Sequence, residues 1–324
     1  MDWRRRTALA ALFTTSLLGL AGPSLAAETR TVAVTAIVEH PALDATRDGI
    51  KAALKDAGFE EGKNLRFIYE SAQGNPSTAA QIARKFVGEN PDVIVPISTP
   101  SAQAVVGATK DIPVVFTAVT DPVAAKLVTN PEKPGGNVTG VTDLSPIGRH
   151  LDLVLEITPK VKTIGTIYNP GEANSLVLID LLEKEAASRG LAVKKAAAPK
   201  SADVLQAAQS LVKSVDAIYV PTDNTVVTAL EAIVKIGRQN KLPVYAGDTD
   251  SVPRGAIAAL GFNYFDVGRQ TGRIVTRVLN GEKPGAIPVQ GIEITELAVN
   301  PGAAEAMGVK IPDAVMARAK TVVK

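Results

Sequence analysis

The sequence predicts an α/β protein of two similar doubly wound lobes with parallel sheets, joined by a multi-strand hinge. Three observations predict it. From residue 31 onward, short β-branched runs alternate with longer stretches of helical period, the pattern of βαβ units around a parallel sheet. The same order of elements returns in the second half. The length, 324 residues of which 46% are apolar, suffices for two cores at roughly 100 to 200 residues per domain.

In the first half, residues 32–38 read as a strand, 42–57 as a helix and 64–70 as the next strand; Gly58 sits where a left-handed residue closes a helix. A helix over 76–89, a strand over 93–97, a helix over 100–109 and a strand over 114–117 follow. In the second half the strands are 163–168, 192–196, 217–220 and 244–247. The helices are 176–189, closed by Gly190, then 202–213 and 224–239. Gly58 pairs with Gly190, Asp92 with Asp216, and Ile112-Pro113-Val114 with Leu242-Pro243-Val244, at offsets of 132, 124 and 130 residues. Offsets that drift so little over four strands fit a duplicated α/β unit with loop insertions, whereas a solenoid would repeat at a shorter period. A strand over 256–260 then leads through Gly261-Phe262-Asn263 to an amphipathic helix over 266–279. The chain is expected to cross between lobes near 141–145, 263–265 and 280–288. That places 28–142 plus 264–282 in an N-terminal lobe and 143–263 plus 283–324 in a C-terminal lobe.

Composition narrows the function classes. There is no cysteine, which excludes a disulfide scaffold, a thiolate metal site, a cysteine nucleophile and a lipidated amino-terminal cysteine. Two histidines, His40 and His150, leave little for a metal centre. Arg4, Arg5 and Arg6, the apolar run of residues 8–20 and Ser24-Leu25-Ala26 have the layout of a cleaved secretory signal over 1–26, too short to span a bilayer before Gly22-Pro23 interrupts it. That segment carries three arginines and one aspartate of the 35 basic and 33 acidic residues, so the mature chain is formally neutral. Neutral charge and 4% aromatics give no support to a nucleic-acid or membrane-surface partner; a small molecule is the expected one.

Open parallel sheets bind ligands at the carboxyl ends of their strands. Ser98-Thr99-Pro100 offers hydroxyls and free N–H groups at a helix start, suited to a carboxylate, and Thr117 at the neighbouring strand end could add a donor; capping alone also accounts for Ser98 and Thr99. At an offset of 124, Ser98 aligns with Thr222 and Thr99 with Asp223; at 130, Ala118 aligns with Asp248. One lobe supplies donors and the other acids, a pairing complementary to a zwitterion such as an α-amino acid. Asp223 and Asp248 are the expected ammonium partners, with Asn224 and Asp250 as further choices. Glu39 and His40 follow the first strand, and His40 is expected to hydrogen-bond a ligand rather than catalyse. His150 is assigned to the surface or the boundary between lobes. No phosphate loop, dinucleotide-binding glycine pattern, nucleophile elbow or His-Glu-x-x-His pair occurs, so neither a cofactor nor a metal is expected.

Phe116-Thr117-Ala118-Val119-Thr120-Asp121-Pro122, Gly135-Gly136-Asn137-Val138-Thr139-Gly140, Tyr168-Asn169-Pro170-Gly171-Glu172-Ala173-Asn174-Ser175 and Val220-Pro221-Thr222-Asp223-Asn224 together resemble the ABC transporter substrate-binding family often described as tryptophan/tyrosine-binding. The resemblance runs from Thr31 to about Pro312. It implies a type I periplasmic binding protein fold, a monomer that closes on its ligand, and an inner-membrane ABC permease as partner. It also implies an aromatic amino acid with its carboxylate near Ser98, Thr99 and Thr117 and its amino group near Asp223 or Asp248. Tyr168, Asn169, Phe116 and Tyr245 are further candidates for the cleft. Two other readings stay open: a ligand-binding partner of a chemoreceptor, and a periplasmic enzyme acting on a small carboxylic acid.

Overall fold

The computed structural model describes residues 29–292 and 294–323; the segment over 1–26, expected to be a secretory signal, lies outside them. The described residues form two sheets. The first half runs β1 (Arg30–Ala36), α1 (Pro41–Asp56), β2 (Leu65–Ser71), α2 (Pro76–Glu89), β3 (Val93–Ile97), α3 (Thr99–Ala108), β4 (Val114–Val119) and β5 (Val138–Thr142). These strands make a parallel five-stranded sheet of order β2-β1-β3-β4-β5. The chain then enters the second lobe with α4 (Ile147–Ile157), β6 (Thr163–Tyr168), α5 (Ala173–Ala187), β7 (Ala192–Ala197), α6 (Val204–Leu211), β8 (Ala217–Val220), α7 (Asn224–Thr228), α8 (Leu230–Asn240), β9 (Val244–Ala246) and β10 (Ala258–Gly261). It returns to the first lobe as α9 (Tyr264–Leu279) and finishes in the second with β11 (Glu296–Val299), α10 (Pro301–Ala306), α11 (Asp313–Arg318) and β12 (Thr321–Val322). The second sheet is ordered β12-β11-β10-β9-β8-β6-β7, with β11 antiparallel to β10.

From β7 to β10 the second sheet repeats the order of the first. Both therefore have a topological switch point between their first and third strands, where a doubly wound sheet opens a crevice. The residues that paired in the sequence do the same work in each lobe. Asp92 accepts the N–H of Thr31 at 2.7 Å at the start of β1, and Asp216 accepts that of Thr163 at 2.8 Å at the start of β6. Gly58 and Gly190 both have positive φ, 86° and 68°, just past a helix end. The first sheet is covered on one face by α1 and α9 around Ile50, Leu54, Val267 and Val275, and on the other by α2 and α3 around Ile82, Phe86 and Val105. A single cluster around Leu151, Ile164, Leu178 and Ile233 fills most of the second lobe.

The structure departs from the sequence expectation in three places. The helix expected over 224–239 is two helices broken at Ala229. Thr225 to Thr228 is a run of four β-branched residues, poor helix formers, and the Thr228 hydroxyl donates back to Asn224 O at 2.7 Å, a contact that bends helices. Residues 138–142 are a full edge strand rather than only a crossing. Residues 285–290 remain with the first lobe, because Gly135 N–H, ahead of β5, donates to Gly285 O, and Thr142 N–H, at the end of β5, donates to Gln290 O. The third crossing therefore falls after residue 290, later than 280–288.

Candidate functional site

Between the two lobes lies a narrow cavity of about 20 Å³, room for about one water molecule. The first lobe contributes His40, Ala42 and Leu43 from the start of α1, and Ala118 and Thr120 from the end of β4. The second contributes Asn174 from α5, Thr222, Asn224 and Val227 around the start of α7, and Asp248 after β9. The hinge itself contributes Asp143, from the first crossing, and Tyr264, where the second crossing becomes α9. These are strand-end positions of both sheets, where the topology predicts a ligand.

Asp143 is the least satisfied charge in the wall. Tyr264 donates its hydroxyl to Asp143 Oδ2 at 2.8 Å, while the buried Oδ1 accepts no hydrogen bond. Burial pushes this carboxyl up to about 6. Asp248 accepts the N–H of Ser251 on Oδ1 at 2.8 Å and its hydroxyl on Oδ2 at 2.7 Å. Burial raises it too, although those hydrogen bonds favour the ionised form. His40 is brought down to about 3 by burial and then by the charge of Arg254, so the ring is neutral at any physiological pH. Its Nδ1 is buried without a partner. Arg254 belongs to the second lobe, and the packing of α1 against the Thr249–Ser251 turn and of α3 against α5 shows the cleft closed. Asn174 Oδ1 and Thr222 Oγ1 are likewise buried and unpartnered, so four orphaned polar atoms converge on one small cavity. Native interiors rarely leave such atoms unpaired, and a polar ligand is their natural complement.

Of the residues expected from sequence, the structure brings His40, Ala118, Asn224 and Asp248 to the cavity wall. Others lie elsewhere. Glu39 is exposed, so His40 alone faces inward from this strand end. Asp223 is fully buried behind the wall: it caps α7 by accepting from Val226 N–H at 2.9 Å, and its other oxygen accepts Asn169 N–H at 2.6 Å and the Ser175 hydroxyl. Desolvation and the neighbouring Glu172 carboxylate raise its pKa, and both of its oxygens are already hydrogen-bonded within the second lobe. Asn169 donates to Thr225 Oγ1 at 2.8 Å inside the second lobe, and Tyr168 packs against that lobe's core. The Thr117 hydroxyl is 2.7 Å from that of Thr271 on α9, within the first lobe. Asp250 is outside the cavity wall. Phe116 and Tyr245 are core residues, and Tyr245 pairs with Thr158 at 3.0 Å. His150 is not at the surface: it is buried against Tyr219, with Nδ1 2.6 Å from the Tyr219 hydroxyl.

Ser98 and Thr99 are buried at the start of α3, just behind Ala118, with Ser98 N–H donating to Thr117 O at 2.9 Å. Capping does not explain them. The Ser98 side chain makes no cap hydrogen bond, and the hydroxyls of Ser98, Thr99 and Ser101 are all buried and unpartnered. Ser98 and Ala118, at the ends of neighbouring strands, hold φ of 78° and 51°, a strained conformation for residues with a side chain. Sequence reasoning missed Asp143, Asn174 and Tyr264. The signal for Asp143 was a lone carboxylate inside the segment expected to cross between lobes.

Among the described residues no cluster of histidine, cysteine or carboxylate could hold a metal, and no helix is long and apolar enough to cross a membrane. Two similar α/β lobes, three crossings and a closed cavity at their strand ends define a bilobal ligand-binding protein of the type I periplasmic binding fold. The family model described as ABC transporter substrate binding protein matches residues 31–323, and the chain belongs to that family, one of binding proteins rather than enzymes. It is 42% identical over 271 residues to a tyrosine-binding protein of Clostridioides difficile, covering 84% of this chain and 79% of that one. The crystal structure of an ABC domain in complex with L-Trp from Streptococcus pneumonia superposes with a TM-score of 0.88 at 33% identity, over 91% of this chain and all of the other. A ligand-free, open structure of a substrate-binding protein with adhesive properties from Clostridium difficile covers 91% of this chain and 99% of its own, at 42% identity but with a TM-score of only 0.69. The less identical, liganded neighbour is closer in shape, in keeping with the closed cleft seen here.

Proposed function

We propose that this protein captures an α-amino acid with an aromatic side chain between its lobes and delivers it, from the periplasm, to the permease of an ABC importer. The observation that carries the reading is the closed cavity in which Asp143, with an unpartnered carboxylate oxygen, and Asp248 face the neutral His40. Those two carboxylates are suited to an ammonium group; the three unpartnered hydroxyls at the start of α3 and the free N–H groups of its first turn are suited to a carboxylate. The tyrosine-binding relative and the L-Trp-bound neighbour support an aromatic side chain. The segment over 1–26 supports export. A ligand that touches both lobes and the hinge stabilises the closed state by its differential affinity, and the permease reads that closed surface.

Titration calorimetry of refolded protein, freed of carried-over ligand, against the twenty amino acids tests this. Saturable heat with L-tryptophan, L-tyrosine or L-phenylalanine, and ligand recovered unchanged, is the expected result; product formation would favour an enzyme, and silence across the panel would end the proposal. Binding should also weaken in acid. The ammonium pairs with ionised Asp143, whose carboxyl titrates near 6 in the empty protein. Protonation therefore competes with the ligand below that pH, and affinity at pH 5 should be roughly tenfold lower than at pH 7.5. An affinity that stays flat over this window would remove Asp143 as the ammonium partner.

A further inference from the structure

Glu172 begins the turn into α5, is buried, and is not part of the cavity wall. It acts on two residues that are. Its Oε2 accepts from Asn174 Nδ2 at 3.1 Å, from Asn224 Nδ2 at 2.5 Å and from Asn224 N–H at 3.3 Å. Its Oε1 accepts from the N–H of Thr225 at 3.2 Å and from its hydroxyl at 2.8 Å. An ionised carboxylate has acceptors only, so each amide that meets it must present its NH₂. Asn174 Nδ2 has a second acceptor in Thr222 O at 3.4 Å, which reinforces the same orientation. The carbonyl oxygens of both amides are thus turned away from Glu172, and Asn174 Oδ1 is buried with no partner.

We infer that Glu172 is a positioning residue for specificity: by holding the NH₂ groups of Asn174 and Asn224 it makes both amides face the ligand as acceptors, and so selects a head group rich in N–H donors. The inference rests on the amino-acid reading above. The nitrogen and oxygen of an asparagine amide have nearly the same shape, so nothing but its partners decides which one a ligand meets. With Glu172 in place, Asn174 Oδ1 joins Asp143 Oδ1 and Asp248 in a wall of acceptors. An ammonium satisfies such a wall. A ligand of the same shape lacking the amino group leaves these acceptors unpaired and desolvated, the situation in which a buried polar site discriminates most strongly.

In Glu172→Gln one of the two oxygens becomes an NH₂ that faces donors. Either position that NH₂ takes also meets a backbone donor, Asn224 N–H at Oε2 or Thr225 N–H at Oε1, so the hold on the two amides loosens and they are no longer fixed as acceptors toward the ligand. Dissociation constants at pH 7.5 for L-tryptophan and for its desamino analogue, indole-3-propionate, should be measured for the wild type, Glu172→Gln and Asn174→Ala. The wild type should prefer the amino acid by roughly a hundredfold or more. Glu172→Gln should narrow that preference by about tenfold, with the analogue bound as well as before or better, and Asn174→Ala should narrow it in the same direction. Equal weakening of both ligands in Glu172→Gln would mean a merely structural role and would overturn the inference. Should circular dichroism show that Glu172→Gln does not fold, Asn174→Ala decides: a narrowed ratio upholds the inference and an unchanged one overturns it. A wild type that binds no amino acid brings down both readings, whereas tight wild-type binding with an unaltered ratio in the variants brings down this one alone.

Discussion

Replacing Asp143 with asparagine should raise the melting temperature of the ligand-free protein and at the same time weaken amino-acid binding by about a hundredfold. The two effects have one cause. The carboxylate is completely buried, receives one hydrogen bond from Tyr264 and has one oxygen with no partner. Its folded-state pKa is raised from an ordinary carboxyl's to about 6, so the stability linked to its proton is full below the unfolded value, near 4, and is lost as the pH rises through 6. At neutral pH the empty protein carries this charge at a penalty on the order of 1–3 kcal/mol. Asparagine has nearly the same shape, keeps an acceptor for the Tyr264 hydroxyl and carries no charge, so the penalty disappears. The ligand loses by the same exchange. The unpartnered oxygen becomes an NH₂ that meets an ammonium donor with a donor, and removing one member of a desolvated charge pair typically weakens binding by about 2–5 kcal/mol. Parallel melting curves and calorimetry at pH 7.5 separate the signs. A variant that melts lower and binds as before would show Asp143 to be a structural group of the hinge and nothing more.

What the sequence could and could not show follows from the kind of information each residue carries. The lobes were legible because duplication writes the same local demands twice: a left-handed residue at Gly58 and Gly190, and a carboxylate at Asp92 and Asp216 to accept the N–H that starts the neighbouring strand. Part of the cavity wall was legible because strand ends are where doubly wound sheets bind, and His40, Ala118, Asn224 and Asp248 line the cavity from those ends. Choosing between Asp223 and Asn224 was not possible in this way. They are adjacent, and which one faces the cavity depends on the cap that Asp223 makes to Val226 and on its bond to Asn169 N–H, a contact 54 residues away in the chain. Asp143 is similar: only the folded hinge shows that it is flanked by Tyr264, 121 residues distant. The Thr117 hydroxyl was lost to the site because α9, arriving from after the second lobe, places Thr271 against it.

That same return of α9 underlies the largest stability effect expected, from Gly268→Ala. Helices α1 and α9 meet backbone to backbone. A Cβ on Gly268 would lie 2.0 Å from Thr46 O, one on Gly49 2.1 Å from Phe265 O, and one on Gly272 2.6 Å from Ala53 Cβ. The first two obstacles are main-chain carbonyls, which cannot swing aside as a side chain would, so the helices must part by about an ångström to admit a methyl group. Overpacking of this kind costs about 3 kcal/mol or more, against which the better helix propensity of alanine returns only about 1 kcal/mol. A fall in melting temperature of roughly 4–8 °C is expected. Gly88→Ala in α2 is the matched control. Its Cβ would meet nothing within 4 Å, so it should be neutral or stabilising by about 0.5–1 kcal/mol. The consequence reaches the ligand as well. His40 stands at the start of α1 and Tyr264 opens α9, so separating the two helices shifts the neutral ring and the hydroxyl that holds Asp143, both from the cavity wall. Gly268→Ala should therefore bind the amino acid more weakly than the wild type even well below its melting temperature, whereas Gly88→Ala should bind it unchanged. If Gly268→Ala melted at or above the wild-type temperature, the close helix contact could not be what fixes α9 against the first lobe and the hinge residues with it.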